Sequence, residues 1–164
     1  MSSHPTLPDT AQRVAALLQQ LAHDHSVVML PETGRTSAEA AAGLGCSVAE
    51  IAKSIVFRRL SDNAAVMVVA SGSNRVDEAK VAALVGPLGK ADAKFVKEKI
   101  GYAIGGVCPI GHVEKTVMLI DQDLLQYAAV WAAAGHPHAV FKLTPAQLIA
   151  MTQAPVADIA LRAV

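Results

Sequence analysis

The sequence predicts one α+β domain in which a mixed or antiparallel β-sheet, or a partial barrel, is surrounded by helices. The chain has 164 residues, of which 52% are hydrophobic and 17% are charged, so it is long and apolar enough to bury a sizeable core. Segments of strand composition cluster along the chain and helical patterns are scattered between them, which favours α+β over regular α/β alternation. Because no internal repeat, low-complexity tract or linker interrupts the pattern, we expect residues 1–164 to form a single domain.

In the first half of the chain, helix and strand signals follow one another closely. Asp9 begins a run of apolar residues at helical spacing, and segment 27–30 reads as a short strand closed by Pro31. Thr36 and Glu39 have the spacing of a capping box, which predicts the start of an alanine-rich helix. The other predicted elements of this half are two strands joined by a hairpin turn, followed by a helix: 51–59, 64–71 and 76–85.

In the second half, the predicted strands outnumber the helices. We expect Asp92 to cap a helix that ends near Lys99, and segment 100–104 directly after it is strand-like. Thr144 and Pro145 predict a last helix, because proline is favoured at the first helical position. Three further segments have the apolar composition of strands: 117–121, 127–134 and 139–143.

Composition argues against a membrane or secreted protein. The longest uncharged run, 124–141, is interrupted by the sequence Gly-His-Pro-His, so we do not expect it to span a membrane. The first ten residues lack both a basic segment and an apolar core, so no secretion signal is expected. Two cysteines without such a signal predict reduced thiols and a cytoplasmic location.

Charge is distributed unevenly although the formal net charge is zero. Residues 53–115 carry ten basic and six acidic side chains. Lys90, Lys94 and Lys97 would share one face of a helix that begins near Lys90, which would extend this basic region. Such a region fits the binding of a polyanion through a local patch, and it fits an ordinary solvated surface equally well.

Lys53 is the most informative single residue. Side chains alternate between the two faces of a strand, so Lys53 shares its face with the large apolar residues Ile51, Ile55 and Phe57. One interpretation is a lysine near the strand end whose stem covers the core while its ammonium reaches water. The other is a cation at the rim of an apolar pocket that binds an anionic ligand. The pattern alone leaves both interpretations open.

A second candidate is the loop GGVCPIGH, residues 105–112. Its glycines permit close approach of the backbone and positive φ, whereas Pro109 fixes its own φ and restricts Cys108. A loop of this kind can direct several N–H groups at one point and bind a carbonyl or an oxyanion. A tight structural turn is the alternative, and it is the more usual role of a lone glycine-proline loop.

The reactive side chains of this region suggest other sites less strongly. One hypothesis makes Cys108 a nucleophile and His112 its base. No residue near Cys108 in the sequence obviously lowers the pKa of its thiol, so we expect Cys108 to be a buried free thiol. A zinc site of Cys108, His112, His136 and His138 matches no established ligand spacing. We therefore expect neither a metal nor a cofactor.

Together, the stretches GCSVAEIAKSIVFR and GGVCPIGH resemble the YbaK/ProX family, the freestanding relatives of the editing domain inserted in bacterial prolyl-tRNA synthetases. The likeness extends from the first predicted helix to FKLTPAQLIAMT and so covers nearly the whole chain. Its specificity lies in two elements in the right order. These are a lysine that enters a strand and a glycine-x-x-x-proline loop followed by Gly-His.

The resemblance implies hydrolysis of the ester that joins a wrong amino acid to tRNA. It assigns Lys53 to the phosphate of the terminal adenosine, and it assigns the loop with Gly105, Gly106 and Pro109 to the positioning of the aminoacyl group. His112 matches the histidine that closes the motif. The resemblance implies mischarged tRNA as the partner, with an aminoacyl-tRNA synthetase as a second candidate partner.

The resemblance also places Thr36 and Ser54 in the amino-acid pocket. Both are small and polar, and only 4% of the chain is aromatic, so we expect a small amino acid as substrate. Members that act on cysteinyl-tRNA carry an acidic residue near Ala139 or Val140, and this chain has none there. Two other functions remain open: a non-catalytic module that binds tRNA or a synthetase, and a thiol hydrolase that uses Cys108.

Overall fold

Helices cover both faces of one mixed β-sheet in the computed structural model, which describes residues 7–31 and 36–162. The α-helices of these residues are α1 (Asp9–Gln20), α2 (Ser37–Leu44), α3 (Glu78–Val85), α4 (Ala93–Lys99) and α5 (Pro145–Thr152). The strands are β1 (Val28–Met29), β2 (Ile51–Arg59), β3 (Ala65–Ser71), β4 (Leu88–Lys90), β5 (Val117–Asp121), β6 (Val130–Ala133), β7 (Ala139–Leu143) and β8 (Val156–Ala157). Short 3₁₀ helices at Val48–Glu50 and Gln122–Gln126 precede β2 and β6.

The strand order across the sheet is β1-β7-β6-β2-β3-β5-β8, and β4 pairs with β2 outside this path. Neighbouring strands are antiparallel in the pairs β1–β7, β6–β7, β2–β3 and β2–β4. They are parallel in the pairs β2–β6, β3–β5 and β5–β8. This arrangement confirms the predicted α+β fold with a mixed sheet.

Strand β3 is the centre of the core. Every one of its residues is buried, and successive residues belong to different hydrophobic clusters on the two faces of the sheet. One cluster contains residues of α1, α4 and α5, and the other contains Val81 of α3 and Ile159. A strand covered on both faces needs a continuous apolar run rather than alternation, which is the composition that β3 has.

The predicted helix starts depend on side-chain caps, and the structure contains them. Thr36, Asp92 and Thr144 each accept a hydrogen bond from the backbone N–H three residues later, at 3.1, 2.8 and 3.1 Å respectively. These bonds satisfy N–H groups that have no partner inside the helix. The caps therefore fix where α2, α4 and α5 begin.

Other local expectations were wrong. Segment 100–104 is not a strand, because Ile100 ends α4 and Gly101 has a φ of +98°, which turns the chain away. Lys90 does not share a helical face with Lys94, since it belongs to β4 and α4 begins only at Ala93. The predicted strand 127–134 is shorter, Val130–Ala133.

Candidate functional site

A pocket of about 210 Å³ opens beside the first half of β2. Its wall comes from α2, β2, β6, the glycine loop and the segment before β7. The residues that line it are Leu30, Thr36, Ser37, Ala40, Ile51, Ala52, Lys53, Ser54, Gly105, Val107, Trp131, Ala132, Ala133, Pro137 and Val140. The structure thus brings together four residues singled out from the sequence: Thr36, Lys53, Ser54 and Gly105.

Lys53 supplies the positive charge of this pocket. Its side chain is half-buried, and its Nζ donates a long hydrogen bond of 3.5 Å to the Gly72 carbonyl oxygen. Burial lowers the pKa of Lys53, and the carboxylate of Asp121 opposes that shift. The ammonium makes no ion pair with the residues of 7–31 and 36–162, so it is available to an anionic ligand.

Asp121 does not neutralise this lysine, because its oxygens are already used. The residue is fully buried and accepts hydrogen bonds from the Ser71 N–H at 3.0 Å, the Asn74 side-chain amide at 2.8 Å and the Asp123 N–H at 2.9 Å. A carboxylate satisfied in this way stabilises the turn after β3 and the end of β5. It contributes to the local electrostatic field rather than to a contact with Lys53.

Two of the polar pocket residues differ in how their hydroxyl groups are used. The Thr36 Oγ1 is engaged in its helix cap, where it also donates to the Glu39 carboxylate at 3.1 Å. The Ser54 Oγ is buried and has no hydrogen-bond partner among the described residues. An unsatisfied buried hydroxyl costs free energy, so Ser54 is the stronger candidate for a contact with a ligand.

The glycine loop reaches the pocket because two of its residues have no side chain. Gly105 has a φ of +95°, and Gly106 packs so closely that a Cβ there would lie 2.7 Å from the backbone of His136. Only glycine fits both requirements at low cost. Gly105 and Val107 line the pocket, whereas Gly106 sets the distance between the loop and the segment before β7.

Pro109 and His112 lie elsewhere. They line a separate groove of about 340 Å³ together with Met118 and Met151. The His112 Nε2 lies 2.7 Å from the carbonyl oxygen of Cys108, which accepts its N–H in the Nε2-protonated tautomer. The structure therefore places His112 in a different groove from the pocket, in contact with the loop backbone.

Two buried residues, Tyr102 and Cys108, and the exposed Arg13 hold the loop in place. The Tyr102 hydroxyl donates to the Ile110 carbonyl oxygen at 2.7 Å, and the Arg13 guanidinium lies 4.7 Å from the centre of the Tyr102 ring. Cys108 is completely buried, and burial raises the pKa of its thiol to about 12. A thiol with this pKa stays protonated near neutral pH and is a poor nucleophile.

The segment 136–138 was missed as part of the site by the sequence reasoning, which considered its histidines only as metal ligands. Pro137 lines the pocket, and the His138 Nε2 is buried without a hydrogen-bond partner among the described residues. The His136 Nδ1 accepts from the His138 N–H at 3.1 Å, which fixes the segment internally. The available signal was the Gly-His-Pro-His sequence inside the longest uncharged run.

The remaining wall was also not predicted, because it depends on strand pairing. Trp131, Ala132 and Ala133 reach the pocket through the short parallel pairing of β6 with β2. Within residues 7–31 and 36–162, no three histidine, cysteine, aspartate or glutamate side chains cluster as metal ligands would. In the same residues, no helix has the length and apolarity needed to cross a bilayer.

Known proteins resemble this chain over most of its length. Residues 31–151 match the family model of the aminoacyl-tRNA editing domain. The uncharacterized protein YwhH of Bacillus subtilis (strain 168) is 30% identical over 126 residues, which are 76% of this chain and 80% of YwhH. A crystal structure described as "a putative trans-editing enzyme for prolyl tRNA synthetase" is 42% identical, with a TM-score of 0.90 over 96% of this chain and 100% of that one. The chain therefore belongs to the aminoacyl-tRNA editing domain family.

Proposed function

We propose that this protein is an aminoacyl-tRNA deacylase that acts in trans and hydrolyses the ester between a small amino acid and a tRNA to which it was wrongly attached. The observation that carries the proposal is the combination found in one pocket: a half-buried ammonium, a glycine-rich loop and a wall in which small side chains predominate. The family and the relative described as a trans-editing enzyme support the same reaction.

Lys53 binds phosphate in this proposal. A half-buried ammonium has lost part of its hydration, so a charge-assisted bond to a phosphate oxygen compensates a cost already incurred in the free protein. The phosphate nearest to the ester of an aminoacyl-tRNA belongs to the terminal nucleotide. Contact with that phosphate places the ester bond beside the loop.

The loop with Gly105 and Gly106 stabilises the reacting carbonyl. Water adds to the carbonyl carbon, the bond from that carbon to the ribose oxygen breaks, and the ribose oxygen takes up a proton. The products are the free amino acid and the uncharged tRNA. Each backbone N–H directed at the developing oxyanion lowers the barrier by about 3 kcal/mol, so an activated ester needs no covalent intermediate.

Pro109 and His112 contribute to the loop rather than to the reacting atoms in this mechanism. The His112 ring contacts the Cys108 carbonyl, and Pro109 fixes the backbone next to it. They keep the N–H groups of the loop in a reactive orientation. This role remains a prediction, as does the direct catalytic role that the resemblance implies for both residues.

The wall of the pocket supports a small amino acid. Alanines at positions 52, 132 and 133 line the pocket together with Ser54, and Val140 stands near the position where relatives that act on cysteinyl-tRNA carry an acidic residue. Trp131 and Leu30 line it as well, and its volume of about 210 Å³ must hold part of the ester and ribose in addition to the amino-acid side chain. Alanine, serine or a short aliphatic residue fits this space better than leucine or phenylalanine.

The test is a series of aminoacyl esters of increasing size on one tRNA, with initial deacylation rates as the readout. Alanyl and seryl esters should be cleaved faster than leucyl and phenylalanyl esters, with partial tolerance between neighbours because one methylene discriminates by about 1–3 kcal/mol. Ser54→Leu should shift the preference to smaller substrates or abolish cleavage. Faster cleavage of the aromatic esters would refute the pocket assignment.

The same assay separates the alternative functions. A non-catalytic module would bind tRNA or a synthetase and leave every ester intact. Addition of a purified synthetase to the reaction shows whether this protein needs such a partner. Retention of activity in a cytoplasmic extract would support the expected location of the reaction.

A further inference from the structure

The middle of β2 has an open edge, and Ser54 lies on it. β6 pairs with β2 at Ile51 and Ala52, whereas β4 pairs with β2 from Phe57 to Arg59. Ser54 lies between these two partners. Within residues 7–31 and 36–162, no strand covers this edge beside it.

The register shows which backbone groups point into the gap. The Arg59 N–H donates to the Ala64 carbonyl at 2.9 Å, and the Ile51 carbonyl accepts from the Gly72 N–H at 2.7 Å. These two odd-numbered residues of β2 therefore face β3. Because backbone direction alternates from one residue to the next, the N–H and the C=O of Ser54 both point away from β3 into the gap.

Two cavities meet at this point. The first is the pocket described above, and the second has a volume of about 240 Å³. The residues that line the second cavity are Ser54, Ile55, Val56, Ala91, Val96, Ile104, Gly105 and Val107. Ser54, Gly105 and Val107 line both cavities, so the open edge of β2 and the glycine loop adjoin the same two cavities.

We infer that the aminoacyl group binds this open edge as a single added strand residue. Its α-ammonium donates to the Ser54 C=O, and its ester carbonyl oxygen accepts from the Ser54 N–H. An α-amino ester carries this donor and this acceptor on either side of one Cα, as does a residue of a neighbouring antiparallel strand. The inference rests on the proposed function, and it adds the group that recognises the amino acid's main chain.

This binding mode explains two features of the free protein together. Ser54 has an N–H and a C=O without a strand partner on the side away from β3. The glycine loop adjoins the same cavities as Ser54, so a loop N–H and the Ser54 N–H can donate to the same carbonyl oxygen. As water adds, the negative charge that develops on the carbonyl oxygen strengthens its bond to the Ser54 N–H.

The test removes that one N–H. Amide-to-ester exchange at Ser54, with glyceric acid in place of serine, deletes the donor and keeps the side chain. The probe is alanine joined by a stable amide to 3′-amino-3′-deoxyadenosine. Loss of a hydrogen bond worth about 1.4 kcal/mol should weaken its binding about tenfold. The same exchange at Ser61, in the exposed turn after β2, should leave the affinity unchanged.

A second comparison changes only the ligand and needs no protein variant. The lactyl analogue, which has a hydroxyl in place of the ammonium, should bind the unmodified protein at least about tenfold more weakly than the alanyl analogue. Thermal unfolding without ligand serves as the folding control. The exchange at Ser54 should lower Tm by only a few degrees, because the deleted N–H bonds no strand and the one ladder bond weakened is that of the Lys53 carbonyl, which becomes an ester carbonyl facing β3.

The outcomes separate this inference from the proposed function. Equal affinity of the Ser54-exchanged and unmodified proteins for the alanyl analogue overturns the inference, even if esters are hydrolysed. Equal affinity of the unmodified protein for the alanyl and lactyl analogues also overturns it. Weaker binding after the exchange supports the inference, and it does so even if no ester is hydrolysed, in which case the proposed function alone fails.

Discussion

Removal of the Lys53 ammonium tests the proposed phosphate contact. Lys53→Met keeps an unbranched side chain of similar length along the pocket wall and deletes the charge. The variant loses only a hydrogen bond to Gly72 that is 3.5 Å long, and it no longer has to keep a charged group partly desolvated. We therefore expect the variant to fold with little change in the free energy of unfolding.

The expected loss of kcat/KM in Lys53→Met follows from the type of contact that is removed. A hydrogen bond from a charged donor contributes about 1.5–3 kcal/mol, so kcat/KM should fall by about 10- to 150-fold. The charge of the phosphate does not change while the ester is hydrolysed. The contact therefore stabilises substrate and transition state equally, and the loss should raise KM while kcat stays within about threefold.

The assay is the initial rate of deacylation of alanyl-tRNA over a range of tRNA and salt concentrations. Lys94→Met is the matched control, since Lys94 is an exposed lysine of α4 outside the pocket wall. Lys53→Arg should also be impaired, because a planar guanidinium does not replace a compact ammonium. In Lys53→Met, the dependence of log affinity on log salt should become shallower by about 0.7, the value for one single-strand phosphate contact.

Two results would refute this reasoning about Lys53. Equal kcat/KM for Lys53→Met and the unmodified protein at subsaturating tRNA would show that the ammonium contacts no part of the substrate. A fall in kcat at constant KM would place the ammonium at the reacting atoms instead of at a phosphate.

Three further predictions concern the loop. Cys108→Ala should keep the deacylation rate within about threefold of the unmodified protein, because the thiol pKa of about 12 excludes a thiolate at neutral pH. An aminoacyl thioester trapped on Cys108 would contradict this prediction, and a zinc chelator should not change the rate. Gly106→Ala should lower kcat at least about tenfold, because its Cβ would lie 2.7 Å from the His136 backbone and displace the loop donors. Gly43→Ala is its control, since the nearest atom to that Cβ is 3.8 Å away, and equal kcat for the two variants would remove the loop from the mechanism. Burial lowers the pKa of His112, so the unfolded chain binds more protons between that lowered value and about 6.5, and stability should decrease as pH falls through this window. His112→Asn should therefore lose less stability than the unmodified protein between pH 7 and pH 5, as measured by urea unfolding; an equal loss would show that other groups cause the acid sensitivity.

Much of the fold could be predicted because its signals are local. Strands β5 and β7 have the predicted bounds, since each is an apolar run limited by polar or turn residues. The start of α2 could be found from Thr36 and Glu39, three positions apart, that of α4 from Asp92 and that of α5 from Thr144 and Pro145. Strands β4 and β8 were missed because they have only three and two residues and depend on partners distant in the chain.

The candidate site also has residues that local sequence predicts and residues that only the folded sheet brings in. Lys53, Ser54 and Gly105 could be chosen from two motifs, and the fold brings them to one pocket. The contribution of Trp131 could not be predicted, because it follows from the pairing of Ile51 with Trp131 across a large sequence separation. The separation of His112 from the pocket depends on how the loop turns behind Tyr102, which local sequence does not determine.

The pairing of β2 with both β3 and β6 has a consequence for the order of folding. β2 and β3 form a hairpin with a short turn, so they can associate early and locally. β6 joins β2 only after the chain between Ile51 and Trp131 has closed, and such long loops slow the formation of a parallel pair. The pocket wall is therefore completed late, after most of the chain has been synthesised. A nascent chain that already contains the lysine strand and the glycine loop should not yet bind its substrate.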